Sequence, residues 1–182
     1  LIPTTTSQAT TSQTTTSQTI GPFWHLLEDP RWSDLTRFGA NVADIITVTG
    51  HVYDGGGAPV TDACVELWQS SPPADEHFSG FGRAATDAQG RFTFKTLMPA
   101  PEPGPGNSLQ APHLALTIFA RGLLIHLASR VYFDGQPDND NDPILALVPP
   151  ERRSTLIATR QHDSWVLDIH LQGAHETVFF DI

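Results

Sequence analysis

A chain of 182 residues is long enough for one domain with its own core, and its 20 acidic against 10 basic residues leave a formal net charge of -10. That balance argues against a partner such as nucleic acid or an anionic membrane surface, and no apolar run approaches the ~20 residues of a membrane span. The single Cys64 can form no internal disulfide and no signal-peptide pattern is visible, so a cytoplasmic protein is expected.

Residues 4–18 repeat TTTSQ, TTSQ and TTTSQ, a stretch with almost nothing to bury (Ala9 is its one apolar side chain) and an ordering entropy it cannot offset alone. Residues 1–18 are therefore expected to be a low-complexity Thr/Ser/Gln arm, and 19–182 a single domain. At 20–25, Gly21-Pro22 sets a bend and Phe23-Trp24 offers adjacent aromatics. A short helical turn is expected within 29–38. Strands are expected at 46–53, closed by Asp54-Gly55-Gly56-Gly57, and at 63–69, with Val65, Leu67 and Gln69 on one face. Others follow at 91–97, after the turn Asp87-Ala88-Gln89-Gly90, then at 113–119, 124–133, 165–171 and 177–180. Residues 99–105 are too proline-rich for a central strand, and 150–159 could hold a second helical turn. This spacing predicts an all-β fold, an antiparallel β-sandwich.

The strand at 113–119 carries the most informative detail. Residues i and i+2 share a face of a strand, so His-x-His there could grip a metal from one side; this chain reads His113-Leu114-Ala115. None of the eight histidines forms His-x-His or His-x-x-x-His, and one cysteine excludes a zinc–thiolate cluster. A buried, hydrogen-bonded role is the simpler account of His113. No phosphate-binding glycine loop and no G-x-S-x-G elbow occur. Asp-Asn-Asp-Asn-Asp at 138–142 lacks the glycine and distal glutamate of a calcium loop and reads as a solvated turn. Trp68, Trp165, Phe179 and Phe180 fit core or subunit-interface positions, as do Tyr53 and Tyr132, and His126 fits an interior or subunit contact.

Eight segments in order carry a resemblance: Thr19-Ile20-Gly21-Pro22-Phe23, His51-Val52-Tyr53-Asp54-Gly55, Val65-Glu66-Leu67-Trp68-Gln69, Phe81-Gly82-Arg83, Ala111-Pro112-His113, Phe119-Ala120-Arg121-Gly122, Tyr132-Phe133 and Glu176-Thr177-Val178-Phe179-Phe180-Asp181. Together they resemble the intradiol ring-cleavage dioxygenase family, and within it the protocatechuate 3,4-dioxygenase alpha-type chains. The resemblance implies a transthyretin-like (prealbumin-like) sandwich and an alpha–beta hetero-oligomer acting on protocatechuate and O2 in aromatic-compound degradation. It implies that Fe(III) is held by two tyrosines and two histidines of the beta subunit and not by this chain. Here the second histidine is Ala115, and the segments before that strand that would supply ligating tyrosines contain none, so the expected metal ligands in this chain are none.

The resemblance also implies that Arg121 reaches a pocket shared with the beta subunit, where a fixed guanidinium stabilises negative charge accumulating during ring cleavage. Thr19, Gly21, Pro22 and Phe23 would line the other side of that pocket and contact substrate. Relatives often carry Tyr at position 23, so Phe23 can supply only shape and apolar contact. The alternative from another class is a non-catalytic transthyretin-type module that binds a small ligand or a partner protein.

Overall fold

The computed structural model describes residues 28–39 and 45–181, together with the backbone of 2–4. The repeat from 5 to 18 and the residues Thr19, Gly21, Pro22 and Phe23 lie outside the described residues. The described strands are β1 (Ile2–Thr4), β2 (Ile45–Tyr53), β3 (Cys64–Trp68), β4 (Phe81–Ala85), β5 (Arg91–Leu97), β6 (Glu102–Pro103) and β7 (Leu109–Gln110). They continue as β8 (His113–Phe119), β9 (Leu127–Phe133), β10 (Ile157–Gln161), β11 (Ser164–Val166), β12 (Ile169–His170) and β13 (Phe179–Asp181).

Hydrogen bonding orders them as β12-β2-β11-β10-β9-β8-β3-β4, with β5 added to β2, β13 to β9, and β1 to β13; β6 and β7 pair separately. The expected all-β class holds, and helical structure among the described residues is confined to short 3-10 turns such as Pro30–Ser33 and Pro150–Leu156. Most pairings are antiparallel, but β10 with β9, β11 with β2 and β12 with β2 run parallel, a departure from the purely antiparallel arrangement expected. Parallel neighbours cannot be joined by a tight hairpin. Residues 134–156, with their three 3-10 turns, form the long crossover that returns the chain beside β9 in the same direction.

Alternation builds the core. In β5, Phe92, Phe94 and Thr96 are buried while Arg91, Thr93 and Lys95 face water. Its start is fixed by the Asp87 carboxylate, which accepts from the Gln89 and Arg91 amides at 2.9 Å each. Val65 and Leu67 of β3, Leu114, Leu116 and Ile118 of β8, and Val131 and Phe133 of β9 turn inward against Val48 and Val52 of β2 and the phenyl rings of β5. A second, smaller core on the other face of β9 gathers Ala111, Tyr132, Ile144, Leu145, Val148, Leu156, Val178 and Phe180 beneath the 134–156 crossover.

Phe179, Phe180 and Tyr132 are core residues, whereas Trp68 is 54% exposed, so of the two positions proposed for it the core is excluded. The strand expected at 165–171 is broken at 167–168, because the Asp168 carboxylate turns to accept from the His51 amide at 2.8 Å. Gly50 marks the closest approach of β2 to this break: a Cβ there would overlap the Leu167 carbonyl oxygen. Gly50→Ala should therefore destabilise the fold by about 3 kcal/mol, read as a lower midpoint in urea unfolding.

Candidate functional site

The outer face of the β4–β3–β8–β9 array is where the sequence places its chemistry. Antiparallel register sets Trp68 opposite Phe81 and Ala115, and Ala115 opposite Arg130. His113, Ala115, Thr117 and Phe119 therefore lie on one face of β8, while Leu114, Leu116 and Ile118 point into the main core. His113 and Ala115 do share a face, as expected for half of a His-x-His pair.

His113 is engaged. Its Nδ1 lies 2.8 Å from the Ala111 carbonyl oxygen, which only accepts, so Nδ1 carries the proton. The ring packs on Tyr132 with centroids 5.7 Å apart. Burial, aided by the neighbouring Arg130 charge, lowers the His113 pKa below its usual value.

Tyr132 is fully buried; its hydroxyl donates to Asp142 Oδ1 at 3.1 Å and accepts from Arg130 Nη1 at 3.3 Å. Arg130 Nη1 also donates to Gln110 Oε1 at 2.8 Å. Burial, with the Asp142 carboxylate adding to it, pushes the Tyr132 phenol above its ordinary range, away from the phenolate that a ferric ion requires. A ferric ion does not fit here. Ala115 has no donor atom, the phenol stays protonated, and a guanidinium sits directly across from Ala115. Among the described residues, no group of three or more His, Cys, Asp or Glu is placed to hold a metal ion. Cys64 offers no nucleophile either, since burial raises its thiol to about 12.

The turn expected at 138–142 is present as a 3-10 segment at Pro137–Asn141, but its last acid is misread as solvated. Asp142 is fully buried and accepts from the amides of Ala111 (2.8 Å), Ile144 (2.9 Å) and Leu145 (2.7 Å) as well as from Tyr132. The carboxylate is thus the anchor that sets the strand entry Ala111-Pro112-His113 against the crossover. A sequence signal did exist: Asp142 precedes the apolar Ile144-Leu145, which an exposed turn would not require.

Arg121 lies elsewhere. Ala120-Arg121-Gly122-Leu123 forms a tight turn, with the Leu123 amide donating to the Ala120 carbonyl at 3.3 Å and Gly122 at φ +86. Only glycine adopts that backbone readily at the third turn position, which leaves Arg121 at the tip. Its side chain is 71% exposed and its Nε donates to Asp62 Oδ2. The length of β8, at about 3.3 Å per residue, puts Arg121 roughly 20 Å or more from His113. The structure does not bring Arg121 and the His113–Ala115 half-site together, and Thr19, Gly21, Pro22 and Phe23 lie outside the described residues. Trp165 packs at the core edge, His126 is half-buried with its ring 5.7 Å from Phe119, and Tyr53 stacks between His51 and His170.

Residues 28–173 match the family model described as Dioxygenase, well over half of the chain. The chain belongs to the intradiol dioxygenase family. It is 39% identical over 155 residues to the protocatechuate 3,4-dioxygenase alpha chain of Burkholderia cepacia, covering 75% of this chain and 77% of that one. To the alpha chain of the same name from Pseudomonas putida it is 36% identical over 208 residues, covering 100% of this chain and 98% of the relative. Among solved structures, the dioxygenase domain of a dioxygenase carbohydrate-binding protein fusion from Streptomyces sp. SirexAA-E superposes with a TM-score of 0.59 at 26% identity, over 87% of this chain and 97% of that domain. No described helix of this family member is long and apolar enough to cross a membrane.

Asp142→Ala leaves the Tyr132 hydroxyl and three amides without their acceptor and should cost about 3 kcal/mol or more of folding stability in denaturant titration. For His113, the folded-state pKa is the lower one, so below the unfolded value of 6.5 the unfolded chain binds a proton that the folded chain refuses. Its contribution to stability is complete above that pH and falls as acid is added, by up to ~1.4 kcal/mol per pH unit. Urea midpoints measured between pH 7 and 5 should fall less steeply for His113→Leu than for the parent.

Proposed function

We propose that this chain is the iron-free alpha-type subunit of a protocatechuate 3,4-dioxygenase, building one wall of an active site whose Fe(III) is bound by a beta subunit. In that assembly protocatechuate (3,4-dihydroxybenzoate) is cleaved by O2 to 3-carboxy-cis,cis-muconate, within the beta-ketoadipate route of aromatic catabolism in the cytoplasm. The chain's own fold is read as the transthyretin-type sandwich, with β2 and β5 facing β3, β8 and β9 across the main core. The likeness to proteins named alpha chains supports a second type of chain as partner.

One observation carries the reading: the cation and the vacated half-site are at opposite ends of β8. Arg121 cannot serve a site centred on His113 and Ala115, so a role in charge stabilisation requires a pocket that another chain completes. The bound iron supplies activation of the catechol ring and of O2. This chain's residues bind and orient. Arg121 presents a permanent cation to an anionic substrate and to the negative charge that builds up during ring opening, in a site from which the partner excludes water. Thr19, Gly21, Pro22 and Phe23 form the opposing apolar and backbone wall that holds the ring.

The reading is tested by expressing the chain alone and with an iron-binding beta chain. Purified alone it should contain no ferric iron and show no tyrosinate-to-iron visible band; the pair should cleave protocatechuate. Arg121→Ala in the pair should lower kcat/KM by roughly 10- to 100-fold. Iron bound by the single chain would overturn the subunit assignment, and unchanged kinetics for Arg121→Ala would favour the non-catalytic module.

A further inference from the structure

Asp62 and Arg121 are 59 residues apart in sequence, yet the sheet delivers them to one spot. β3 and β8 pair antiparallel, and their ladder ends with Cys64 opposite Phe119, so the turn before β3 that carries Asp62 and the turn after β8 that carries Arg121 leave the sheet side by side. Their side chains meet just beyond the end of that ladder, where the Arg121 Nε donates to Asp62 Oδ2. The backbone beside Asp62 is pinned: the Ala63 amide donates to Thr86 Oγ1 at 2.9 Å, and the Thr86 amide donates to the Ala63 carbonyl at 3.0 Å. Across the gap, the left-handed Gly122 fixes the turn that carries Arg121. The Asp62 carboxylate is half-buried, while the guanidinium it accepts from is exposed.

The bond uses one side of the fork. Nε donates to Asp62 Oδ2, and among the described residues the Nη groups have no hydrogen-bond partner. A guanidinium held in this way has one edge fixed by protein and donors left for an incoming anion.

We infer that Asp62 is the positioning residue for Arg121, holding the guanidinium by its Nε so that its Nη donors meet a carboxylate or developing oxyanion of the substrate. This inference rests on the proposed placement of Arg121 in a pocket shared with the partner chain. Asp62 touches no substrate and acts through Arg121.

A carboxylate near an anionic substrate has two opposite effects, and the sign of the outcome separates them. As a mere neighbouring charge Asp62 repels the substrate, so Asp62→Asn would lower KM. As a positioning residue it restricts the guanidinium to one orientation, so the same change raises KM.

The experiment is steady-state kinetics with protocatechuate on the assembled alpha–beta complex. Asp62→Asn is expected to raise KM about 10-fold with a smaller change in kcat, and to add nothing further in an Arg121→Ala background. Asp62→Glu should recover at least half of the lost kcat/KM. Asp62→Ser, which keeps a small turn-forming side chain, serves as the second variant and should match Asp62→Asn. An unchanged or lowered KM in Asp62→Asn and Asp62→Ser, with Arg121→Ala impaired, overturns the positioning role and leaves the placement of Arg121 standing. Arg121→Ala with unaltered kinetics overturns that placement, and the positioning role with it.

Discussion

Because side chains on a strand alternate between faces, the register of β8 between β3 and β9 determines almost everything chemical about this chain. With Cys64 opposite Phe119 and Ala115 opposite Arg130, the leucines and isoleucine of β8 fill the main core and the odd-numbered residues face outward. A slip of one residue would exchange the two sets, exposing Leu114, Leu116 and Ile118 and burying Thr117. The cost of exposing three large aliphatic side chains, about 1.5–3 kcal/mol each, makes the register effectively unique. The facing of His113 and Ala115 follows from it, while the Gly122 turn carries Arg121 beyond the strand's end.

The outer face around His113 is closed by hydrogen bonds among its own polar groups. Where a metal would have drawn imidazole and phenolate together, this chain has a hydrogen-bonded set closed on itself: Arg130 to Tyr132, Tyr132 to Asp142, and Asp142 to the Ala111 amide beside His113. A buried carboxylate is tolerable only when its oxygens are saturated, and Asp142 collects four donors. The set is therefore structural in effect, fastening the 134–156 crossover to the strand entry.

Much of this was legible in the sequence, for reasons that differ by element. β5 and β8 were placed at their observed bounds, because strict alternation follows a turn in one and closes on Arg-Gly in the other. β4 was missed: Phe81-Gly82-Arg83-Ala84-Ala85 lacks β-branched residues, and its pairing is dictated by β3. The helical turn expected at 150–159 overlaps the start of β10, since Pro150 and the polar run after it resemble a helix start while the parallel pairing to β9 is a tertiary effect. The half-site at His113 could be read from spacing alone. Asp142 was lost among four similar neighbours, because burial of one acid in a polar run depends on what folds over it. Asp62 gives no local signal, since its partner is 59 residues away in the turn after β8 and only the pairing of β3 with β8 brings the two turns together.

The pairing of Arg121 with a carboxylate bears on how a cation can be useful at a shared pocket. Alone at the tip of a turn, a guanidinium spreads over many rotamers, and fixing it at the moment of substrate binding would consume part of the binding energy. When a partner subunit covers it, an unpaired charge would also carry a desolvation penalty of several kcal/mol. A carboxylate in the turn that leads into β3 reduces both costs, at the expense of some attraction for the anionic substrate. Exposed pairs of this kind contribute little stability, about 0.2–1 kcal/mol, so the arrangement is hard to explain as a device for folding. It makes better physical sense as preorganisation of the guanidinium ahead of assembly, with the β3–β8 ladder supplying the rigidity that the turn lacks.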